Sequence, residues 1–180
     1  MKRDNERCQG DRCKTGTELE KSVTSTIQRW LELEHLADDF DVYHPPKNEA
    51  IHYHLHELSE QDEIAGLDVI VRHHETNIIV AIFGVKASLK DRRKQDGLDA
   101  IYVRRQLPHA AWYEVFRSED IHCQDLDVIR KDLYKWQAKY RGLWDLVASS
   151  MDNTSMQKMR RHLIKHLHSY LSIAKGLTNV

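Results

Sequence analysis

The sequence predicts an α/β protein of the α+β kind, and three observations carry that expectation. Two apolar runs, IAGLDVIVR over 64–72 and IIVAIFGVK over 78–86, flank the polar break HHETN, the pattern of two antiparallel strands joined by a short turn. Apolar residues recur at helical spacing on either side, from Leu19 to Leu33 and again from Leu126 to Ala174. A further extended run, AAWYEVF over 110–116, follows a helical stretch and not another turn. The expected order is αβββαβ with a C-terminal helical hairpin.

Residues 1–16 are polar and aperiodic, and read as a tail. Thr17 with Glu20 three residues later makes a capping box, and Leu19, Val23, Ile27, Trp30 and Leu33 then mark a first helix from about Glu18 to Leu36. The segment DDFDVYHPP over 38–46 ends it, since proline cannot continue a helix. Residues 50–58 alternate strictly, placing His52, His54 and His56 on one strand face. Same-face neighbours on a strand stand about 7 Å apart, too far for all three to reach one ion, so that stripe is expected to face solvent or DNA.

The two central strands come next, and the second, apolar on both faces, is expected to be the most buried. Ser88 and Asp91 form another capping box, opening a helix from Leu89 to about Gln106, with Pro108 beyond its end. After the strand at 110–116, the spacing of Leu126, Ile129, Leu133, Trp136, Tyr140, Leu143 and Val147 predicts one long helix from about Asp125 to Ser149. Residues 152–155 form a turn and cap. Met156, Met159, Leu163, Leu167, Tyr170 and Ala174 then mark a last helix that Gly176 can close. His162 and His166 lie four apart on it without the acid of an H-E-x-x-H motif, and are expected on its basic face.

The 180 residues are enough for one domain with a sizeable core. No apolar run approaches transmembrane length and the start is too polar for a signal peptide, so a cytoplasmic protein without membrane association is expected. Cys8, Cys13 and Cys123 support neither a disulfide framework nor a four-ligand zinc site. Net charge is −1, but its distribution is uneven. Lys86, Lys90, Arg92, Arg93 and Lys94 face only Asp91, and Lys158, Arg160, Arg161 and Lys165 form a second basic group. Such patches on an otherwise acidic chain suit local contact with a polyanion.

The αβββαβ order, with GLD over 66–68 on one strand and FGVK over 83–86 on the next, resembles the PD-(D/E)xK phosphodiesterase superfamily, the restriction-endonuclease-like enzymes. The resemblance covers roughly residues 17–116, leaving the tail and the hairpin of residues 117–180 outside it. It implies a Mg²⁺-dependent endonuclease, with Mn²⁺ as substitute, cleaving duplex DNA. Carried over by position, Asp68 would bind the metal, Lys86 would be the catalytic lysine, the Val85 carbonyl would be a further ligand, and Glu20, or else Glu34, would be the first-helix acid. Lys90, Arg92 and Arg93, at the start of a helix, suit phosphate contacts.

One position departs from the pattern. Gly84 stands where the family carries its second acid, and a glycine offers no side-chain ligand. Three readings compete. The acid has migrated to the following helix, with Asp96 or Asp99 as candidates and Asp99 as the ligand assigned. The chain is a catalytically silent DNA-binding or partner subunit. Or the glycine replaces an acid lost in this chain, a reading favoured by the poor fit of glycine to a strand interior. Assembly is expected as a homodimer through the terminal helices or as a heteromeric subunit. Outside the nucleic-acid class, the alternative is a helical-hairpin interaction protein with the sheet as scaffold.

Overall fold

The computed structural model describes residues 2–45, 51–53, 63–65, 67–86, 100–101, 103–118, 123–139 and 141–178, with side chains at all of these except 2–15, 51–53, 63–65 and 175–178. It is a mixed α/β structure built on a five-stranded sheet. In chain order the elements are α1 (Lys2–Leu33), β1 (Phe40–Tyr43), β2 (Ile51–Tyr53), β3 (Glu63–Ala65), β4 (Val69–His73), β5 (Ile79–Lys86), β6 (Ala111–Phe116), α2 (Leu126–Lys139), β7 (Leu146–Ser149) and α3 (Asn153–Thr178). Residues 100–101 and 103–106 are also helical. Among the described residues no helix is long and apolar enough to cross a membrane.

The sheet order is β1-β4-β5-β6-β7, and β2 and β3 form a separate two-stranded ribbon. β4 runs antiparallel to both β1 and β5, whereas β6 is parallel to β5 and β7 parallel to β6. The polar break after β4 is the expected turn: Asn77 donates to the His73 carbonyl at 2.9 Å and takes a positive φ of 57°, a conformation asparagine tolerates. β5 and β6 lie at the centre, and period-two alternation sends their side chains into two cores. Phe83, Val85, Tyr113 and Val115 pack with Val23, Ile27 and Leu31 of α1 and with Met159, Leu163 and Leu167 of α3. Ile82, Trp112 and Phe116 pack on the other face with Ile129, Leu133 and Trp136 of α2 and with Ala100 and Val103. Helices therefore cover both faces, as a sheet with parallel central strands requires.

Several expectations need correction. α1 begins at Lys2, so helix runs through the stretch read as a tail, and Thr17 lies inside it instead of capping it. That stretch holds no proline and carries five Lys and Arg residues, so although Gly10 and Gly16 cost about 1 kcal/mol each, elongating an existing helix through it needs no new nucleus. α1 ends at Leu33, closed by His35 at a φ of 56°, with His35 donating to the Glu32 carbonyl and Leu36 to the Leu31 carbonyl at 2.8 Å.

The segment at 38–46 contains β1, the edge strand paired with β4. The strand expected at 50–58 is described only at Ile51–Tyr53 and belongs to the ribbon. The run at 64–72 divides between β3 and β4. The three-strand meander is thus β1-β4-β5, interrupted by a ribbon. His54 and His56 lie outside the described residues.

The long helix expected over 125–149 is two elements. α2 stops at Lys139, Gly142 takes a φ of 89° that helix cannot accommodate, and β7 follows as an edge strand parallel to β6. The coincidence of Leu143 and Val147 with a helical period concealed the contiguous apolar run Leu146–Val147–Ala148, all buried between two layers. No helical hairpin forms, because α2 and α3 occupy opposite faces of the sheet. The last helix is as expected, with Asp152 as its cap, but runs past Gly176 to Thr178.

His162 and His166 are turned toward the sheet. Tyr113 Oη lies 3.0 Å from His162 Nδ1, and His166 Nε2 donates to the Val80 carbonyl at 2.9 Å. Burial, together with the positive charges of His166, Lys165 and Lys158, holds the His162 imidazole below its ordinary value, against an opposing effect of Asp145. These histidines tie α3 to the sheet.

Candidate functional site

Antiparallel pairing of β4 with β5 brings the entry of one strand beside the exit of the other. Val69 pairs with Phe83, so Asp68, immediately before β4, lies against Val85 and Lys86 at the end of β5. Its Oδ2 accepts from the Val85 N–H at 2.7 Å and from Lys86 Nζ at 2.5 Å. Both side chains of the ion pair are largely shielded, at 16% and 14% exposure for Asp68 and Lys86. The Asp68 backbone carbonyl also accepts from His44 Nδ1, just beyond β1. Asp68 and Lys86 are thus brought together as expected, whereas Val85 meets Asp68 through its N–H.

Glu20 approaches from α1. Its carboxyl is pushed above the ordinary glutamate value, first by burial and then by the charge of Asp68, while His44 and Lys86 act in the opposite sense. Two carboxylates, a lysine and a histidine from four separate segments therefore share one electrostatic neighbourhood. Glu34, the other first-helix candidate, is elsewhere: at 1.5 Å per residue it lies about 21 Å further along α1. There it pairs with Arg160 at 2.7 Å.

Gly84 is two residues before Lys86 on β5 and pairs across the sheet with Glu114 of β6. A Cβ placed on Gly84 would stand 2.9 Å from Glu114 Cδ and 3.0 Å from Oε1, and closer still to Oε2. The Glu114 carboxylate therefore occupies the space where a side chain at position 84 would begin. Glu114 is fully buried. A side chain at position 84 would force the Glu114 carboxylate to move, so the glycine has a packing use that its poor fit to a strand interior did not suggest.

Glu114 was missed by sequence reasoning, although a signal was there: it is the single charged residue inside AAWYEVF, a run otherwise apolar. His44 had no comparable signal beyond its place before two prolines. Asp99, Lys90, Arg92 and Arg93 lie outside the described residues, as does Asp96.

The donor set suits a hard cation. Burial lifts the Glu20 carboxyl first and the charge of Asp68 adds to it, and a divalent ion would relieve that second contribution. Among the described residues no group of three or more His, Cys, Asp or Glu is gathered so as to hold a metal. Mg²⁺ does not need such a cage, because it is commonly held by one or two carboxylates, waters and substrate phosphates. No family model, curated protein or solved structure matches this chain.

Proposed function

We propose that the chain is a Mg²⁺-dependent phosphodiesterase of the restriction-endonuclease type acting on duplex DNA. The observation that supports this reading most is the convergence of Asp68, Lys86 and Glu20, from β4, β5 and α1, at one end of the sheet. Asp68 and Glu20 are the carboxylates that would hold the ion. Bound there, Mg²⁺ or Mn²⁺ would supply charge neutralisation on the scissile phosphate and a water of lowered pKa.

The chain's own contributions follow from its contacts. The Val85 N–H fixes the Asp68 carboxylate, so its orientation does not depend on a mobile partner. Lys86 is held beside it and presents a cation where phosphate oxygens and an attacking water would meet. His44 orients the Asp68 main chain from the opposite side.

A second reading draws on the same geometry. Asp68 Oδ2 is engaged at once by Val85 and Lys86, an arrangement that pins two strand ends with no chemistry, as in a catalytically silent DNA-binding subunit.

Supercoiled plasmid incubated in Mg²⁺ and in Mn²⁺ separates the two. The nuclease reading expects metal-dependent nicking or linearisation, lowered roughly 10²- to 10³-fold by Lys86→Ala with the fold retained by circular dichroism. Equal cleavage by the two proteins sinks the nuclease assignment. Salt-dependent DNA binding without cleavage selects the silent subunit.

A further inference from the structure

The helix α3 carries five Lys and Arg residues and no Asp or Glu, in a chain whose net charge is −1. Met159, Leu163 and Leu167 bury one side of it in the core, so its orientation is fixed and its cations are turned outward. There α3 and the C-terminal end of α1 border an open groove of about 350 Å³, lined by Gln157, Arg160, Arg161, Lys165 and His168 of α3 and by Glu34 of α1. We propose that this groove is a second contact for duplex DNA, one that takes phosphates of the backbone. The inference rests on the duplex-DNA reading above and adds to it a surface outside the strands that carry Asp68 and Lys86.

Charge supports it first. Among the described residues Glu34 is the one acid lining the groove, and its carboxylate is already engaged by Arg160 at 2.7 Å. No Asp or Glu among the described residues pairs with Arg161 or Lys165. The ion pair therefore fixes one wall, tying α1 to α3, while the next two cations stay available to an anion.

Spacing supports it next. Gln157, Arg161, Lys165 and His168 follow one another at intervals of four, four and three, so they stand on one helix face over about 16 Å. Successive phosphates of one strand rise about 3.4 Å along the duplex axis, so such a row suits a stretch of backbone better than a single ion. Gln157 and His168 add hydrogen-bond donors at its two ends. The apolar side of α3 is committed to the core and has nothing to insert into lipid, which favours nucleic acid over a membrane surface. Glu34 lies about 21 Å along α1 from Glu20, so a duplex that meets both places covers about six base pairs between them.

Fluorescence anisotropy with a labelled duplex of about 24 base pairs, at salt from about 50 to 200 mM, tests the groove. Three proteins are compared: the unmodified chain, Arg161→Ala with Lys165→Ala, and Lys131→Ala with Lys135→Ala. The last pair removes the same charge from exposed positions of α2, on the opposite face of the sheet. The groove variant is expected to bind about 10- to 100-fold more weakly and to lower the slope of log Kd against log salt by about two, one for each phosphate released. The α2 variant is expected to keep the slope. Circular dichroism checks the fold of both.

An unchanged slope in the groove variant, or an equal fall in both variants, overturns the inference and leaves the duplex-DNA reading standing on the binding itself. If the unmodified chain does not bind the duplex at the lowest salt, both fall, and retention on phosphatidylserine vesicles instead would assign the basic face to a membrane surface. Plasmid cleavage is scored separately. Absence of cutting removes the phosphodiesterase reading, whereas a slope that falls only in the groove variant still upholds the groove.

Discussion

Replacing Gly84 with alanine should destabilise the protein, against the ordinary preference of a strand. In a strand interior, glycine costs roughly 0.5–1 kcal/mol relative to alanine, so the change would normally stabilise. Here the new methyl would meet the Glu114 carboxylate, 2.9 Å from Cδ and nearer to Oε2. The atoms that must move are the flexible end of a side chain, but that side chain is fully buried and has no solvent to swing into. A cost in the lower part of the overpacking range follows, about 1–2 kcal/mol net. Urea denaturation measures it, with a fall in melting temperature of about 2–4 °C per kcal/mol for a chain of this size. The decisive arm is the sign in a Glu114→Ala background. With the carboxylate removed, Gly84→Ala should stabilise, giving a coupling of about 1–3 kcal/mol in the double-mutant cycle. Stabilisation by Gly84→Ala in both backgrounds would refute the packing argument.

Two other perturbations have calculable outcomes. Asp152 caps α3, accepting from the Ser155 N–H at 3.0 Å and from Arg130 Nε at 3.2 Å, so Asp152→Ala should cost about 1–2 kcal/mol by urea unfolding. Burial pushes its carboxyl up, but the bonds from Ser155 and Arg130 outweigh that and leave it below the ordinary aspartate value. A depressed carboxyl stabilises the fold above the ordinary value near about 4 and loses that contribution as pH falls through its folded value. The gap between Asp152→Ala and the unmodified chain should therefore close in acid, and a gap that widens there contradicts the assignment. At the end of α1, His35 occupies a left-handed position that glycine takes at no steric cost. His35→Gly should raise stability by up to about 1 kcal/mol, and thermal melting that shows a loss would mean the imidazole makes a contact worth more than the strain.

Much of the fold was legible because one-dimensional periodicity maps directly onto buried faces. Val23, Ile27 and Trp30 of α1 and Met159, Leu163 and Leu167 of α3 are buried as their spacing requires. The β4–β5 pair was equally plain, because a polar break between two apolar runs admits few other readings. Short edge strands were not. β1 and β7 have four residues each, too few to establish a period, and each is a strand only because β4 or β6 offers a free edge. Helix over 2–15 escaped for a related reason: an element with no apolar stripe leaves no pattern to read.

For the site, the sequence alone determined that Asp68 and Lys86 are neighbours. An acid just before one strand and a lysine at the end of its antiparallel partner meet whenever the turn between them is short. The first-helix acid, Glu20 or else Glu34, was named only through the resemblance, and it took the packing of α1 on the sheet to set Glu20 near Asp68 and Lys86 and Glu34 against Arg160. The tertiary structure alone decided which residue answers the glycine at 84. Parallel pairing of β5 with β6 joins positions thirty residues apart through an intervening helical segment, and its register brings Glu114 to Gly84. Local sequence carries no record of a parallel register, because that register is set by how the connecting segment packs on the sheet.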